Sequence, residues 1–126
     1  MAIRGLGLDL VEIERIESLL ARRGTRARDR LFTPLEQAYC ERRKRSATSY
    51  AGRFAVKEAV MKLLGTGWAR GVRWVDIEVV RKPGEAPTLA LYGQTARIAA
   101  QRGIQRIHIT ITHDAGIAAA VAVAED

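Results

Sequence analysis

The sequence predicts a single α+β domain, a mostly antiparallel sheet packed against helices. Two observations lead there. The hydrophobic periodicity switches along the chain in the order β-α-α-α-β-β-α-β-β. The chain, 126 residues long, is enough for one core and too short for two. No internal repeat, low-complexity segment or linker interrupts it, so the domain is expected to span residues 1–126.

Ala2 to Val11 reads as a strand with Leu6, Leu8 and Leu10 on one side and Gly5, Gly7 and Asp9 on the other. The leucine side is the expected core side. The glycine side is nearly bare, so another backbone or a ligand could approach it closely. From Glu12 to about Arg23 the period becomes helical, with Ile13, Ile16, Leu19 and Leu20 on one stripe and Arg15 and Arg22 on one exposed face. Thr33-Pro34-Leu35-Glu36 is a helix start with N-cap, N1 proline and capping box, and that helix should run to about Arg43. The longest helix is expected from about Thr48 to Leu64, ending at Gly65-Thr66-Gly67. Trp74 to Arg81 and Thr88 to Tyr92 read as two strands around the turn Lys82 to Pro87. Gln94 to Arg102 is a short helix closed by Gly103. Arg106 to Thr112 is a strand, Asp114-Ala115-Gly116 a turn, and Ile117 to Ala124 a last strand that reads as buried on both faces.

Composition narrows the functions. With 48% hydrophobic and 28% charged residues the chain reads as soluble and globular. Its longest apolar run, Ile117 to Ala124, is far short of the ~20 residues that cross a bilayer. Asp9, Glu12 and Glu14 fall where a signal peptide would be apolar, so the expected compartment is the cytoplasm. The single cysteine, Cys40, cannot form an internal disulfide, and with only His108 and His113 it cannot complete an all-protein zinc site. The net charge of +7, carried largely by arginine, implies an anionic partner: a nucleic acid, a phosphorylated small molecule, an acidic protein or an anionic lipid. Genome composition is the competing explanation for those arginines.

Nucleophilic catalysis has little support, since there is no Gly-x-Ser-x-Gly elbow and Cys40 has no histidine near it in sequence. Dinucleotide and phosphate-loop fingerprints are also missing. Glu58 and Lys62, at i and i+4, share a helical face with Gly65 one turn on. They could be a catalytic stripe or an ordinary surface ion pair before a helix cap. Asp9 could start the following helix, or join Glu58 as hard oxygen ligands for Mg²⁺ beside substrate phosphates. His113 could be a buried structural histidine or a phosphate donor at the sheet edge. Spacing alone leaves each of these pairs open.

Three segments together resemble the holo-[acyl-carrier-protein] synthase family, the short branch of the 4′-phosphopantetheinyl transferases. They are Gly5-Leu6-Gly7-Leu8-Asp9-Leu10-Val11-Glu12-Ile13-Glu14-Arg15-Ile16, Arg53-Phe54-Ala55-Val56-Lys57-Glu58-Ala59 continuing to Gly65-Thr66-Gly67, and Ile111-Thr112-His113-Asp114. The resemblance implies transfer of the phosphopantetheine arm of coenzyme A to a serine of apo acyl carrier protein, with Mg²⁺ as cofactor and a role in fatty acid biosynthesis. It implies that Asp9 and Glu58 bind the metal and act in catalysis, with Lys62 near the transferring phosphoryl group. Gly65, Thr66 and Gly67 correspond to the loop beside the coenzyme, Arg53 and His113 to positions near its phosphates, and Arg15 and Arg22 to the docking face for the acidic carrier. A homotrimer is implied in the same way. The family's aromatic residue after its histidine is replaced here by Ala115-Gly116-Ile117.

The chemistry suits these residues. Serine attack on a pyrophosphate needs positioning and charge neutralisation more than covalent help. The competing reading is a nucleic-acid-binding domain, resting on the clusters Arg22 to Arg30 and Arg42 to Arg45. Only 6% of residues are aromatic and they are scattered, so no base-stacking platform is visible. Membrane attachment through the first helix has still less support, because its apolar stripe is also that of ordinary core packing.

Overall fold

The computed structural model describes residues Met1–Asp126. Its organising contact is a helix laid backbone-to-backbone on a glycine-bearing strand. Helix α3 (Ser46–Leu64) has buried residues on almost every side, so it has no clear amphipathic face and must be enclosed. It crosses the strand β1 (Ile3–Glu12) on the face that carries Gly5 and Gly7. A Cβ on Gly7 would lie 1.8 Å from Ala59 O, and one on Gly5 would lie 3.2 Å from Leu63 Cγ. The glycine face is therefore the core side, which reverses the expectation for β1. Leu6, Leu8 and Leu10 are 66%, 57% and 65% exposed on the opposite face. Period-two alternation tells which residues share a face; it does not tell which face is covered.

β1 pairs antiparallel with β5 (Ile117–Glu125), and β5 pairs antiparallel with β4 (Arg106–Asp114), giving the order β1-β5-β4. Ala118, Ala120, Ala122 and Ala124 are buried, small enough for α3 to sit low on the sheet. The other face of β5, with Val121 and Val123 beside Leu8 and Leu6, is only half-buried. The last strand is thus covered on one face, not both, because only that face has a helix over it. Ala115 and Gly116 both take positive φ (51° and 77°), the requirement of a tight type I′ hairpin between β4 and β5.

Helix α1 (Ile13–Leu31) runs past the expected end near Arg23. Gly24 breaks it with φ 55° and ψ −136°, a conformation that disfavours L side chains, and the helix resumes because Ala27 and Leu31 bury themselves in the core. Helix α2 (Pro34–Glu41) has the expected capping box: Glu36 N donates to Thr33 Oγ1 (3.2 Å) and Thr33 N to Glu36 Oε1 (2.9 Å). The expected strand from Trp74 begins instead as a 3₁₀ turn, Trp74–Asp76, because Asp76 accepts the Arg73 guanidinium at 2.9 and 3.1 Å and curls the chain back. β2 (Ile77–Val80) and β3 (Thr88–Leu91) form a separate two-stranded sheet, so the strands divide between two antiparallel sheets instead of joining in one. Helix α4 (Gly93–Gln101) follows.

A buried ion pair joins these layers. Lys57 Nζ donates to Glu36 Oε1 (2.8 Å), Trp74 O (3.0 Å) and Ile77 O (2.6 Å), and both side chains are fully buried. Glu36 Oε2 accepts from Val79 N at 2.8 Å. Every proton of the ammonium is used, which is the condition for tolerating a charge in a core. Beside it, Glu78 accepts from the hydroxyls of Thr33 and Tyr92.

Candidate active site

The close contact of α3 with β1 brings Asp9 and Lys62 together. Asp9 follows Gly7 on the same face of β1, and Lys62 lies nearly one turn beyond Ala59. Lys62 Nζ donates to Asp9 Oδ1 at 3.0 Å and to Leu8 O at 3.1 Å. The Asp9 side chain is 12% exposed and that of Lys62 is 54% exposed, so the carboxylate is held while the ammonium stands at the surface. Glu58 is half-buried on the same face of α3. Burial, and then the charge of Asp9, raise its pKa above the ordinary carboxylate value, against the opposing pull of Lys62 and Arg15. Asp9, Glu58, Lys62 and Arg15 therefore form one electrostatic cluster from β1, α3 and α1. Of the expected docking residues Arg15 borders the site, and Arg22 lies exposed farther along α1 with its Nε 3.4 Å from Ser18 O.

The loop after α3 takes the expected form. Gly65 closes the helix at φ 72°, with Gly65 N donating to Lys62 O (3.0 Å) and Thr66 N to Met61 O (3.2 Å), a Schellman ending. Thr66 is buried and donates from Oγ1 to Gly67 O at 2.8 Å, while Gly65 and Gly67 are open to solvent. Lys62, Gly65 and Gly67 thus form one exposed edge.

Arg53 and His113 do not join this cluster within the chain. Arg53 is buried with its guanidinium stacked 4.2 Å from the centre of the Tyr39 ring. Nη1 reaches Ser49 O at 3.4 Å, and the buried Nε and Nη2 have no partner. Tyr39 also lines a cavity of about 310 Å³ ringed by Arg42, Arg43, Arg81 and Lys82. His113 is exposed on β4, on the far side of β5 from Asp9, which excludes the buried structural histidine. It faces a cavity of about 880 Å³ together with Arg45, Thr48 and Glu12. Sequence reasoning did not single out the cations around Tyr39 or the placement of Arg45 on the same cavity as His113. The run Arg42 to Arg45 was a signal for both, but not for which cavity each side chain enters.

As a metal site, the cluster offers two carboxylates on separate elements and no third acidic, histidine or cysteine ligand. Two repelling carboxylates suit a divalent cation that takes its other ligands from water and phosphate, the usual habit of Mg²⁺.

The fold and the sequence match a known class. The chain belongs to the 4′-phosphopantetheinyl transferase superfamily, whose family model matches residues 5–122. Within it, the relatives are holo-[acyl-carrier-protein] synthases. That of Anaeromyxobacter sp. (strain K) is 51% identical over 126 residues, covering 98% of this chain and 96% of the relative. Among solved structures, the Neisseria meningitidis enzyme aligns with a TM-score of 0.88 at 28% identity, covering 99% of this chain and 100% of that one. The Helicobacter pylori enzyme, solved in complex with coenzyme A, aligns with a TM-score of 0.83 at 33% identity, covering 95% of this chain and 99% of that one.

Proposed function

We propose that this chain is a holo-[acyl-carrier-protein] synthase. It transfers the 4′-phosphopantetheinyl group of coenzyme A to a serine hydroxyl of an apo acyl carrier protein and releases adenosine 3′,5′-bisphosphate. The observation that carries this reading is the Asp9–Glu58–Lys62 cluster at the contact of β1 with α3. It is supported by full-length relatives that bear that name and by the coenzyme A complex of the Helicobacter pylori enzyme.

The residues divide the work. Asp9 and Glu58 would hold Mg²⁺, which when bound neutralises charge on the pyrophosphate. Lys62 donates to the phosphoryl oxygens and stabilises the departing bisphosphate. Glu58, Asp9 or another carboxylate would accept the serine proton. Gly65, Thr66 and Gly67 border the coenzyme. Arg53 and His113 contact its phosphates, a role supported for Arg53 by its two unpartnered nitrogens and the nearby cations. Arg15 and Arg22 receive the acidic carrier beside the reacting centre.

The assembly we infer is a homotrimer. The open face of Leu6, Leu8, Leu10, Val121 and Val123 supports self-association, and the number three follows from the resemblance. The separation of His113 from Asp9 by β5 supports a site shared between neighbouring copies. No helix is long and apolar enough to cross a membrane, and the cytoplasm is the compartment we propose. The nucleic-acid reading gains nothing from the comparisons.

The test is direct. Incubated with coenzyme A, Mg²⁺ and this protein, an apo acyl carrier protein should gain ~340 Da by intact mass spectrometry, the mass of the group transferred. A chelator should abolish the gain, and so should Asp9→Ala in a folded variant. No gain with a competent carrier would refute the proposal.

A further inference from the structure

The partner of Asp9 is Lys62. Its ammonium sits 3.0 Å from the carboxylate that the proposed function assigns to the metal, with a second bond of 3.1 Å to Leu8 O. A divalent cation at Asp9 and an ammonium 3 Å from the same oxygen would repel each other strongly, because both carry positive charge at contact range. One of the two has to yield.

We propose that Lys62 competes with the divalent cation for Asp9, and that its displacement couples cation binding to pyrophosphate binding. The inference rests on the reading that Asp9 and Glu58 hold the metal. Exposure decides which group moves. Asp9, 12% exposed, is fixed on a strand jammed against α3 at Gly7, whereas Lys62, 54% exposed, swings on a flexible four-carbon stem. Charge decides that the move is an exchange. Asp9 and Glu58 are two like charges on adjoining elements, and the Lys62 ammonium, bonded to Asp9 at 3.0 Å, offsets them. If the ammonium left with no cation arriving, the two carboxylates would face each other with less compensation.

The released ammonium needs a new anion, and the pyrophosphate of coenzyme A supplies one. Cation alone has to break the Lys62–Asp9 pair. Cation together with coenzyme gives Lys62 another partner, so each ligand should raise the affinity of the other.

Mn²⁺ binding, followed by the electron paramagnetic resonance signal of the free ion, tests this without turnover. Lys62→Met should bind Mn²⁺ alone about two- to fivefold more tightly than the natural chain, the worth of an exposed ion pair. Lys62→Arg keeps the charge and should show no gain. Coenzyme A, corrected for the Mn²⁺ it binds by itself, should raise Mn²⁺ affinity less in Lys62→Met than in the natural chain. Arg15→Met removes a nearby charge that does not touch Asp9 and should gain less than Lys62→Met. An unchanged or weaker affinity in Lys62→Met overturns the proposal, and so does an equal gain in Arg15→Met. If Asp9→Asn binds Mn²⁺ as well as the natural chain, the metal assignment itself fails, a result the Lys62 variants cannot produce.

Discussion

Gly7 has no room for a methyl group: a Cβ there would lie 1.8 Å from Ala59 O, inside the backbone of α3. Neither backbone can give way without moving Asp9 from Lys62, so Gly7→Ala should cost at least ~3 kcal/mol or prevent folding, read as loss of Tm or of soluble protein. The sequence showed that the Gly5, Gly7 and Asp9 side could admit another backbone, and this is where α3 lies. It could not show that the leucine side would stay bare, because both sides alternate perfectly. Glu58 carries a second prediction. Its pKa is raised above its ordinary value of 4.5, mainly by burial. An acid held higher in the folded state stabilises the fold while protonated. That contribution is complete below the unfolded pKa and is lost as pH rises through the folded one. With chelator present, Glu58→Gln should therefore raise Tm near neutral pH and leave it unchanged below about pH 4. Thermal melts at the two pH values check the sign.

Among the elements, α2 was the most legible, because Thr33, Pro34 and Glu36 specify its start through local hydrogen bonds alone. The end of α3 was legible for the same reason at Gly65. The second job of Glu36, receiving Lys57 from α3, was not, since that pairing spans the fold. Lys57 beside Glu58 in sequence looks like half of a charged surface doublet, yet the helix turns one inward and the other toward solvent. Lys57→Ala should cost ~3–5 kcal/mol by leaving Glu36 buried and unpaired. Lys57→Met combined with Glu36→Gln should cost less than the single change, and urea denaturation of both variants gives the comparison. Periodicity stopped the first helix at the Gly24 break but missed its resumption to Leu31, and it missed the 3₁₀ turn that Asp76 sets at the start of the Trp74 segment.

For the whole molecule, the sheet face left open is the largest departure from what a lone chain should expose. Leu8, 57% exposed at the middle of β1, faces outward beside Val121. Leu8→Glu should leave the secondary structure intact and reduce the proposed assembly to single chains in sedimentation velocity. Activity should fall with it if His113 acts on a neighbour's coenzyme. An unchanged sedimentation coefficient would remove this face from the interface. Oligomeric state was hidden from periodicity for a general reason: an interface uses the same residue types as a core, and alternation alone cannot separate them.

The pairing of β1 with β5 also has a consequence for biosynthesis. Leu6 lies opposite Val123 and Leu10 opposite Ala119, so β1 waits for a strand that follows it far along the chain. Until Ile117–Glu125 has left the ribosome, β1 has no hydrogen-bonding partner on either edge, and its leucines face solvent in an extended, aggregation-prone segment. The helices can form as they emerge, but the surface that orients Asp9 cannot, and the site assembles only once β5 has emerged.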